Sequence, residues 1–304
     1  MRRLAGMPPG PAILMYHRVA RPAWDPWELA VSPEHFEAQL GWLKRARTVL
    51  PLEEFAALHR RGRLPSAAVA LTFDDGYACN AHTAAPIAAA CEVPITIFLT
   101  TGAISGEGEF WWDDLERIVT AAPDGPLDCR VAGQTFAFEA GADRAEAYRA
   151  LWAAMRTMDD AERRETLVQI ARGWGVGLQG RQDYRAMTAA EVRDLTTSPW
   201  VTFGAHSVSH PPLSELTSAE QRAEIETSRD ACAALTGYNP RLFAYPFGDY
   251  SDQTVELVKE AGFETAVTTD AGFVNKGSTS LRLPRLHAGD WPAERLAALL
   301  STGL

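Results

Sequence analysis

The sequence predicts an α/β fold with a parallel sheet, on two observations. Short apolar runs alternate with amphipathic stretches along most of the chain, which is the pattern of strands joined by helices. The chain is also long enough, at 304 residues of which 46% are hydrophobic, to bury a large core in one catalytic domain. The predicted strands are residues 12–16, 67–73, 94–100, 201–205, 241–245, 264–268 and 281–286.

Three of the predicted helices have recognisable first residues. Ser32 is a candidate N-cap with Pro33 at the first helical position. Thr217 and Glu220 have the spacing of a capping box ahead of a helix that extends to about residue 235. Ser251 begins a further helix that a glycine ends at residue 262.

One region, from about residue 106 to residue 187, interrupts this alternation. We interpret it as a mainly helical insertion subdomain within a single catalytic domain of residues 1–304. Its predicted elements are a hairpin over residues 129–138 and helices over residues 144–158 and 161–174.

Two adjacent tryptophans, Trp111 and Trp112, stand near the start of this insertion. Aromatic faces suit the apolar faces of pyranose rings, so either tryptophan could stack on a sugar. Burial in the core of the insertion explains both equally well.

The chain is acidic, with 29 Lys and Arg against 39 Asp and Glu, a formal net charge of −10. An acidic surface repels phosphate backbones and anionic headgroups, so we expect no nucleic acid partner and no membrane insertion. The first residues hold no apolar run long enough for a signal peptide, and we expect a cytoplasmic protein. The cysteines are widely spaced and are expected to be free buried thiols, which are Cys79, Cys91, Cys129 and Cys232.

The first chemical signal is a pair of carboxylates, Asp74 and Asp75, at the end of an apolar strand and ahead of Gly76. Catalytic residues in α/β barrels lie at the carboxyl ends of strands. Two neighbouring carboxylates repel unless a cation or a proton lies between them, so a metal on one would leave the other free to act as a base. On its own, this triplet is more often a solvated turn.

The second signal is the pair His206 and His210, again at the end of an apolar strand. In a helical turn, imidazoles four residues apart lie on the same side and can chelate one ion. Two histidines and one carboxylate form a hydrolytic metal site that suits zinc, cobalt, nickel or iron. Histidines at this spacing also occur by chance.

Together these segments resemble the polysaccharide deacetylase superfamily, also called carbohydrate esterase family four or the NodB-homology domain. Its first motif, Thr-Phe-Asp-Asp-Gly, is matched without change by residues 72–76, and its second, His-[Ser/Thr]-x-x-His, by residues 206–210. The resemblance implies a distorted (β/α) barrel and N- or O-deacetylation. It also implies a metal held by Asp75, His206 and His210, with Asp74 as the general base.

The third motif of the family departs from its pattern here. Ala244 stands where the family has an arginine that orients the catalytic aspartate, and Phe247 stands at the tyrosine position. The backbone N–H of Phe247 can still serve an oxyanion, because this role needs no particular side chain. Arg285 is our candidate for the missing guanidinium, with a purely structural ion pair as the alternative.

The general acid also departs from the common pattern, since Leu286-His287 only partly matches the family's C-terminal Leu-x-His. At the other end, His17 follows a strand and a tyrosine. This arrangement resembles the circularly permuted branch, which includes deacetylases of poly-N-acetylglucosamine and takes its acid from the N-terminal segment. First and last strands are neighbours in a closed barrel, so either histidine could reach the site. We favour His17.

The expected function is therefore a metal-dependent hydrolase, with zinc as the favoured metal, that removes an N-acetyl group from an amino sugar in a glycan or glycan precursor. One alternative is a deformylase or another C–N hydrolase acting on a lipid-linked sugar or small molecule, because this fold hosts several such reactions. A second alternative is an inactive sugar-binding module. The intact aspartate and histidine pairs argue against the second, and the sequence predicts neither the exact substrate nor the oligomeric state.

Overall fold

The computed structural model describes residues 10–105, 108–139, 141 and 143–302. The chain divides into two compact units, which we call the barrel unit (Met1–Gly106 with Met187–Leu304) and the inserted unit (Glu107–Ala186). The segment before residue 10, on which the signal-peptide prediction rests, and the predicted first residue of the insertion lie outside the described residues. Within the described part of the chain, no helix has the length and apolar character needed to cross a membrane.

The barrel unit is built on a closed barrel of seven parallel strands, which confirms the predicted fold class. The strands of this unit are β1 (Ala12–Tyr16), β2 (Arg18–Val19), β3 (Ala30–Val31), β4 (Thr48–Val49), β5 (Ala68–Phe73), β6 (Ile95–Leu99), β9 (Val201–Ala205), β10 (Leu242–Ala244), β11 (Thr265–Ala271) and β12 (Leu283–His287). The seven barrel strands are hydrogen-bonded in the order β1-β12-β11-β10-β9-β6-β5, and β5 pairs with β1 to close the barrel. Each of the seven predicted strands overlaps one barrel strand, because each is a short apolar run buried on both faces.

Helices surround the barrel and connect its strands. In this unit they are α1 (Pro33–Ala46), α2 (Leu52–Arg60), α3 (Ala85–Cys91), α7 (Ala189–Leu195), α8 (Ser218–Thr236), α9 (Asp252–Glu260) and α10 (Ala293–Thr302). The capping box predicted at Thr217 is present. The helix predicted to begin at Ser251 has Ser251 as its N-cap, and a capping box not predicted from the sequence is present there too. The side-chain cap predicted at Ser32 is absent, because the Ser32 hydroxyl donates instead to Asp290 (2.6 Å). The helix still begins at Pro33, whose fixed φ suits the first helical position.

The barrel interior is apolar at one end and polar at the other. Alternate residues of a strand point to the same face, and Ala68 and Ala70 of β5 belong to the core cluster together with Phe98 of β6. Gly204 of β9 leaves room for the Phe98 ring, since a Cβ at this glycine would lie 2.6 Å from it. Two residues further along the same face of β5, the polar side chain of Thr72 enters the interior.

The inserted unit consists of a hairpin and three helices with an aromatic core. The elements are β7 (Leu127–Val131) paired antiparallel with β8 (Gln134–Phe138), and helices α4 (Trp111–Ala121), α5 (Arg144–Met155) and α6 (Asp160–Gly173). Trp111 and Trp112 are only 8% and 5% exposed. The Trp111 ring stacks on Trp152, and the Arg163 guanidinium lies 4.8 Å from the centre of the Trp111 ring in a cation–π contact. Both tryptophans are therefore core residues of this unit, the second of the two sequence interpretations.

The cysteines are free thiols, as predicted, but only two of them are buried. Cys129 and Cys232 are buried, whereas Cys79 and Cys91 are partly exposed.

Candidate metal centre and active site

Asp75 is placed by a sharp turn at the carboxyl end of β5. The backbone leaves the strand through a left-handed conformation at Asp75 (φ 70°) and at Gly76 (φ 78°). Glycine adopts this conformation without strain, and a Cβ at residue 76 would lie 2.9 Å from Leu99. The carbonyl of Asp75 accepts a hydrogen bond from the N–H of Thr100, which ties the turn to the end of β6.

His206 and His210 belong to a loop after β9, which we call the histidine loop (residues 206–210). The predicted helical turn is wrong, because Ser207 (φ 60°) and His210 (φ 58°) both have left-handed backbone conformations that no helix contains. These two turns fold the loop back on itself. The imidazole centres of His206 and His210 thereby come within 4.8 Å of each other.

The side chains of Asp75, His206 and His210 converge on one buried point. Their ligand atoms form a nearly equilateral triangle, with Nε2 to Nε2 at 3.2 Å and Asp75 Oδ1 at 3.6 Å from His206 Nε2 and 3.4 Å from His210 Nε2. Ligands bound tetrahedrally at about 2.0–2.1 Å stand roughly 3.3 Å apart, so the triangle has the size of a zinc site. Among the described residues, this is the group of His, Cys, Asp or Glu side chains with the geometry to hold a metal.

The hydrogen bonds around the histidines suit the metal-binding form of the rings. The Nδ1–H of His206 donates to the carbonyl of Ala244 (2.7 Å), which leaves Nε2 as a lone-pair donor. Burial lowers the pKa of His206 and of His210, so both rings are neutral near pH 7. Two neutral imidazole nitrogens and a carboxylate oxygen are the donors that divalent metals such as zinc take in proteins, so the donor set fits such an ion.

Asp74 forms a buried ion pair with Arg285 of β12. The guanidinium donates to both carboxylate oxygens, from Nη1 to Oδ1 at 2.7 Å and from Nη2 to Oδ2 at 2.6 Å. It also donates to Thr72 Oγ1 and to the Thr268 carbonyl. Burial alone would raise the pKa of Asp74, but the Arg285 charge and hydrogen bonds hold it well below its usual range. The guanidinium of Arg285, on β12, thus binds Asp74. In the family pattern the corresponding guanidinium comes from the position that Ala244 occupies here.

Of the two candidate acids, His17 lies nearer to this pair. His17 follows β1, which is the barrel neighbour of β5, and its Nε2 is 3.9 Å from Asp74 Oδ2. Burial lowers the pKa of His17 to about 3, and the Asp74 charge only partly opposes this effect. His287 instead interacts with the backbone of Glu28, in the segment between β2 and β3.

Phe247 belongs to a tight turn, Pro246–Gly248, which follows β10 and has non-helical backbone angles at Phe247. Its backbone is left-handed (φ 57°), and its ring packs edge-on against His210 with centres 4.3 Å apart. The phenyl ring therefore supports a predicted metal ligand, in addition to the backbone role that the sequence suggests.

Two groups around the site carry no signal in the sequence. The carbonyl of Ala244, which orients His206, is a backbone atom present at every residue. Asn80 lies in a π-helical turn (Asn80–Ala84), a feature that often marks functional sites, and its Nδ2 donates to the carbonyl of His17 (2.8 Å). Only the fold brings these groups to the site.

A buried carboxylate and two imidazoles beside a second carboxylate, at the carboxyl end of a parallel barrel, form a group that could hold a metal in the manner of a hydrolase. Residues 61–122 and 143–266, more than half of the chain, match the family model described as polysaccharide deacetylase. The chain belongs to this family, and carbohydrate deacetylation is the activity that the family supports.

Individual relatives are distant in sequence but similar in fold. The Streptococcus pyogenes deacetylase PplD, solved in complex with acetate, is 21% identical with a TM-score of 0.64 over 97% of this chain and 99% of its own. IcaB from Ammonifex degensii is 19% identical with a TM-score of 0.62 over 96% and 97%. A de-N-acetylase from Aggregatibacter actinomycetemcomitans is 15% identical with a TM-score of 0.55 over 91% and 94%.

One curated relative matches over a shorter stretch. YxkH of Bacillus subtilis (strain 168), assigned by its name to the polysaccharide deacetylases, is 23% identical over 87 residues. The match covers 29% of this chain and 31% of that protein.

Proposed function

We propose that the protein is a metal-dependent N-deacetylase that releases acetate from an N-acetylated amino sugar in a glycan or glycan precursor. The observation that carries the proposal is the triangle of Asp75, His206 and His210 next to the ion pair of Asp74 with Arg285. Two structurally similar proteins support this reaction, since one was solved with acetate and another is described as a de-N-acetylase.

In the proposed site, Asp75, His206 and His210 hold one divalent ion, with zinc favoured by the nitrogen and oxygen donors. When bound, such an ion supplies a Lewis acid that polarises the acetyl carbonyl and activates water.

Asp74 is the proposed general base. It must be ionised to take a proton from the attacking water, and the low pKa that Arg285 maintains meets this requirement. Arg285 also holds both carboxylate oxygens, so the carboxylate has one orientation. The backbone N–H of Phe247 is the proposed donor to the developing oxyanion.

His17 is the proposed donor of a proton to the leaving amine. A pKa of about 3 makes the ring neutral in the resting site, so His17 has to gain a proton before it can give one. We propose that Asp74 passes on the proton taken from water, because the 3.9 Å between Asp74 Oδ2 and His17 Nε2 needs only a small side-chain shift to become a hydrogen bond. Catalytic hydrogen bonds are commonly long before substrate binds.

The test is a product assay with the zinc-loaded protein on N-acetylglucosamine oligosaccharides, a lipid-linked N-acetylated sugar and matched N-formylated substrates. We expect acetate and a free amine in equal amounts, and the Asp74→Asn variant should form both about 10²–10⁴-fold more slowly at the same zinc content. Release of formate alone would assign the site to deformylation. Failure to cleave any of these substrates with zinc bound would contradict the proposal.

A further inference from the structure

The histidine loop has its backbone N–H groups bound by side chains of the barrel unit. Glu224 of α8 accepts from the N–H of Val208 (2.8 Å) and of Ser209 (3.0 Å) with Oε2. Its Oε1 accepts from the Ser209 hydroxyl (2.7 Å). Ser207 Oγ accepts from the N–H of His210 (3.0 Å). Glu224 is therefore the one charged acceptor among these partners, and it takes three of the loop's hydrogen bonds.

The opposite side of the loop is held by the turn Thr101–Ala103, which follows β6. The N–H of Thr101 donates to the carbonyl of Ser207, and the N–H of Gly102 donates to the carbonyl of Val208. A Cβ at Gly102 would lie 2.7 Å from the Val208 oxygen, so the two segments are in close contact. The loop thus lies between a tight turn and the carboxylate of α8.

These contacts with Glu224 and with the turn Thr101–Ala103 explain how the histidine loop maintains an unfavourable backbone conformation. Ser207 and His210 are both left-handed non-glycine residues, and such conformations persist only where the surroundings over-determine them. The consecutive N–H groups of Val208 and Ser209 form a small anion-binding nest that the Glu224 carboxylate fills. Without this anion the loop can relax, and His210 then leaves the position from which its Nε2 faces His206.

We propose that Glu224 is a positioning residue for the metal centre, which it supports by holding the histidine loop in its ligating conformation. The proposal rests on the metal centre of the proposed function. Groups that orient metal ligands from outside typically contribute about 10–100-fold to metal affinity. Glu224 makes no step of the reaction, so its loss should weaken metal binding while the Asp74–Arg285 pair stays in place.

The experiment compares the zinc affinity of the metal-free protein with that of three variants, by competition against a chromophoric chelator. We expect Glu224→Ala to bind zinc about 10–100-fold more weakly. Glu224→Gln, which keeps the length but loses the charge and one acceptor, should lie between Glu224→Ala and the unmodified protein. Glu226→Gln is the matched control, because this glutamate lies on the same helix and pairs with Arg222 at the surface. The zinc affinity of this variant should be unchanged.

The second readout is recovery of activity. Excess zinc should restore turnover to Glu224→Gln, because only affinity is lost, whereas it should not restore Asp74→Asn. If the folded Glu224 variants bind zinc as tightly as the unmodified protein and only their melting temperature falls, Glu224 has a purely structural role and the inference is wrong. Weak binding by the unmodified protein itself would instead contradict the metal centre, and so the two failures are distinguishable.

Discussion

The barrel unit and the inserted unit each contain a buried carboxylate bound by an arginine, and the two pairs differ in what surrounds them. In the inserted unit, Arg181 donates to both oxygens of Glu109, whose side chain is fully buried. In the barrel unit, Arg285 does the same for Asp74. The Nε2 atom of His17 lies 3.9 Å from Asp74 Oδ2. The residue that follows Asp74 in the sequence is a predicted metal ligand, Asp75.

The Arg181 pair has a different set of neighbours. Arg181 also binds the carboxylate of Glu116 (2.6 Å) and the carbonyl of Asp113 (3.0 Å), and its guanidinium lies over the Tyr184 ring. These contacts join the segment around residue 181 to α4, so we interpret the role of Arg181 as structural. A buried carboxylate with an arginine partner is common to both pairs, so we use the neighbouring groups to distinguish the proposed catalytic carboxylate, Asp74, from the structural one, Glu109.

The largest expected effect is the loss of turnover when the charge of Asp74 is removed, and removing the charge of Glu109 is the comparison. Asp74→Asn keeps the shape of the side chain but removes the base, so turnover of the folded protein should fall by about 10²–10⁴-fold with zinc content close to normal. Its melting temperature should fall as well, because the buried Arg285 loses its partner charge. Glu109→Gln should leave turnover of the remaining folded protein unchanged and lower its stability instead. Kinetics, zinc analysis and thermal unfolding on both variants check the comparison. A similar loss of turnover in both would remove the distinction between the pairs.

The second prediction concerns the imidazole that only the barrel pair has. His17→Ala should lower turnover of an N-acetyl amide by about 10²–10⁴-fold but have a much smaller effect on an activated acetyl ester, whose leaving group needs no proton. The ratio of the two rates is the measurement. Equal losses on the amide and the ester would show that His17 is not the acid, and His287→Ala would then be the next variant to test.

The smallest of the three effects is a shift in pH dependence. Arg285 depresses the pKa of Asp74, so removing its charge should raise that pKa and move the acid limb of kcat/KM to higher pH. Arg285→Met should show this shift, and Arg285→Lys, which keeps the charge but loses the two-pronged geometry, should show less of it. The matched variant Arg181→Met should leave the pH dependence of kcat/KM unchanged. An unchanged acid limb in Arg285→Met would place Arg285 in a structural role only.

The sequence predicted the barrel strands and most of the site because both have local signatures. Buried parallel strands are short apolar runs, and the residues after two of them match a family motif without change. Arg285 could be proposed because the motif lacks its arginine at Ala244, which directs attention to another buried arginine near a strand end. The roles of all these residues remain predictions.

The histidine loop could not be predicted, because its shape is set by distant partners. Histidines four residues apart suggested a helical turn, yet the turn Thr101–Ala103 and Glu224 stabilise left-handed conformations at Ser207 and His210 instead. None of these partners is close in sequence to the loop. The low pKa of His17 is equally a product of burial, which depends on the whole fold.

Zinc binding by the unmodified protein tests the central claim most directly. Metal-free protein should bind one equivalent of zinc with recovery of deacetylase activity at the same stoichiometry, and Asp75→Ala, His206→Ala and His210→Ala should each abolish both while the protein stays folded. Full activity of the protein after removal of all metal, or one equivalent of tightly bound zinc in these variants, would contradict the account.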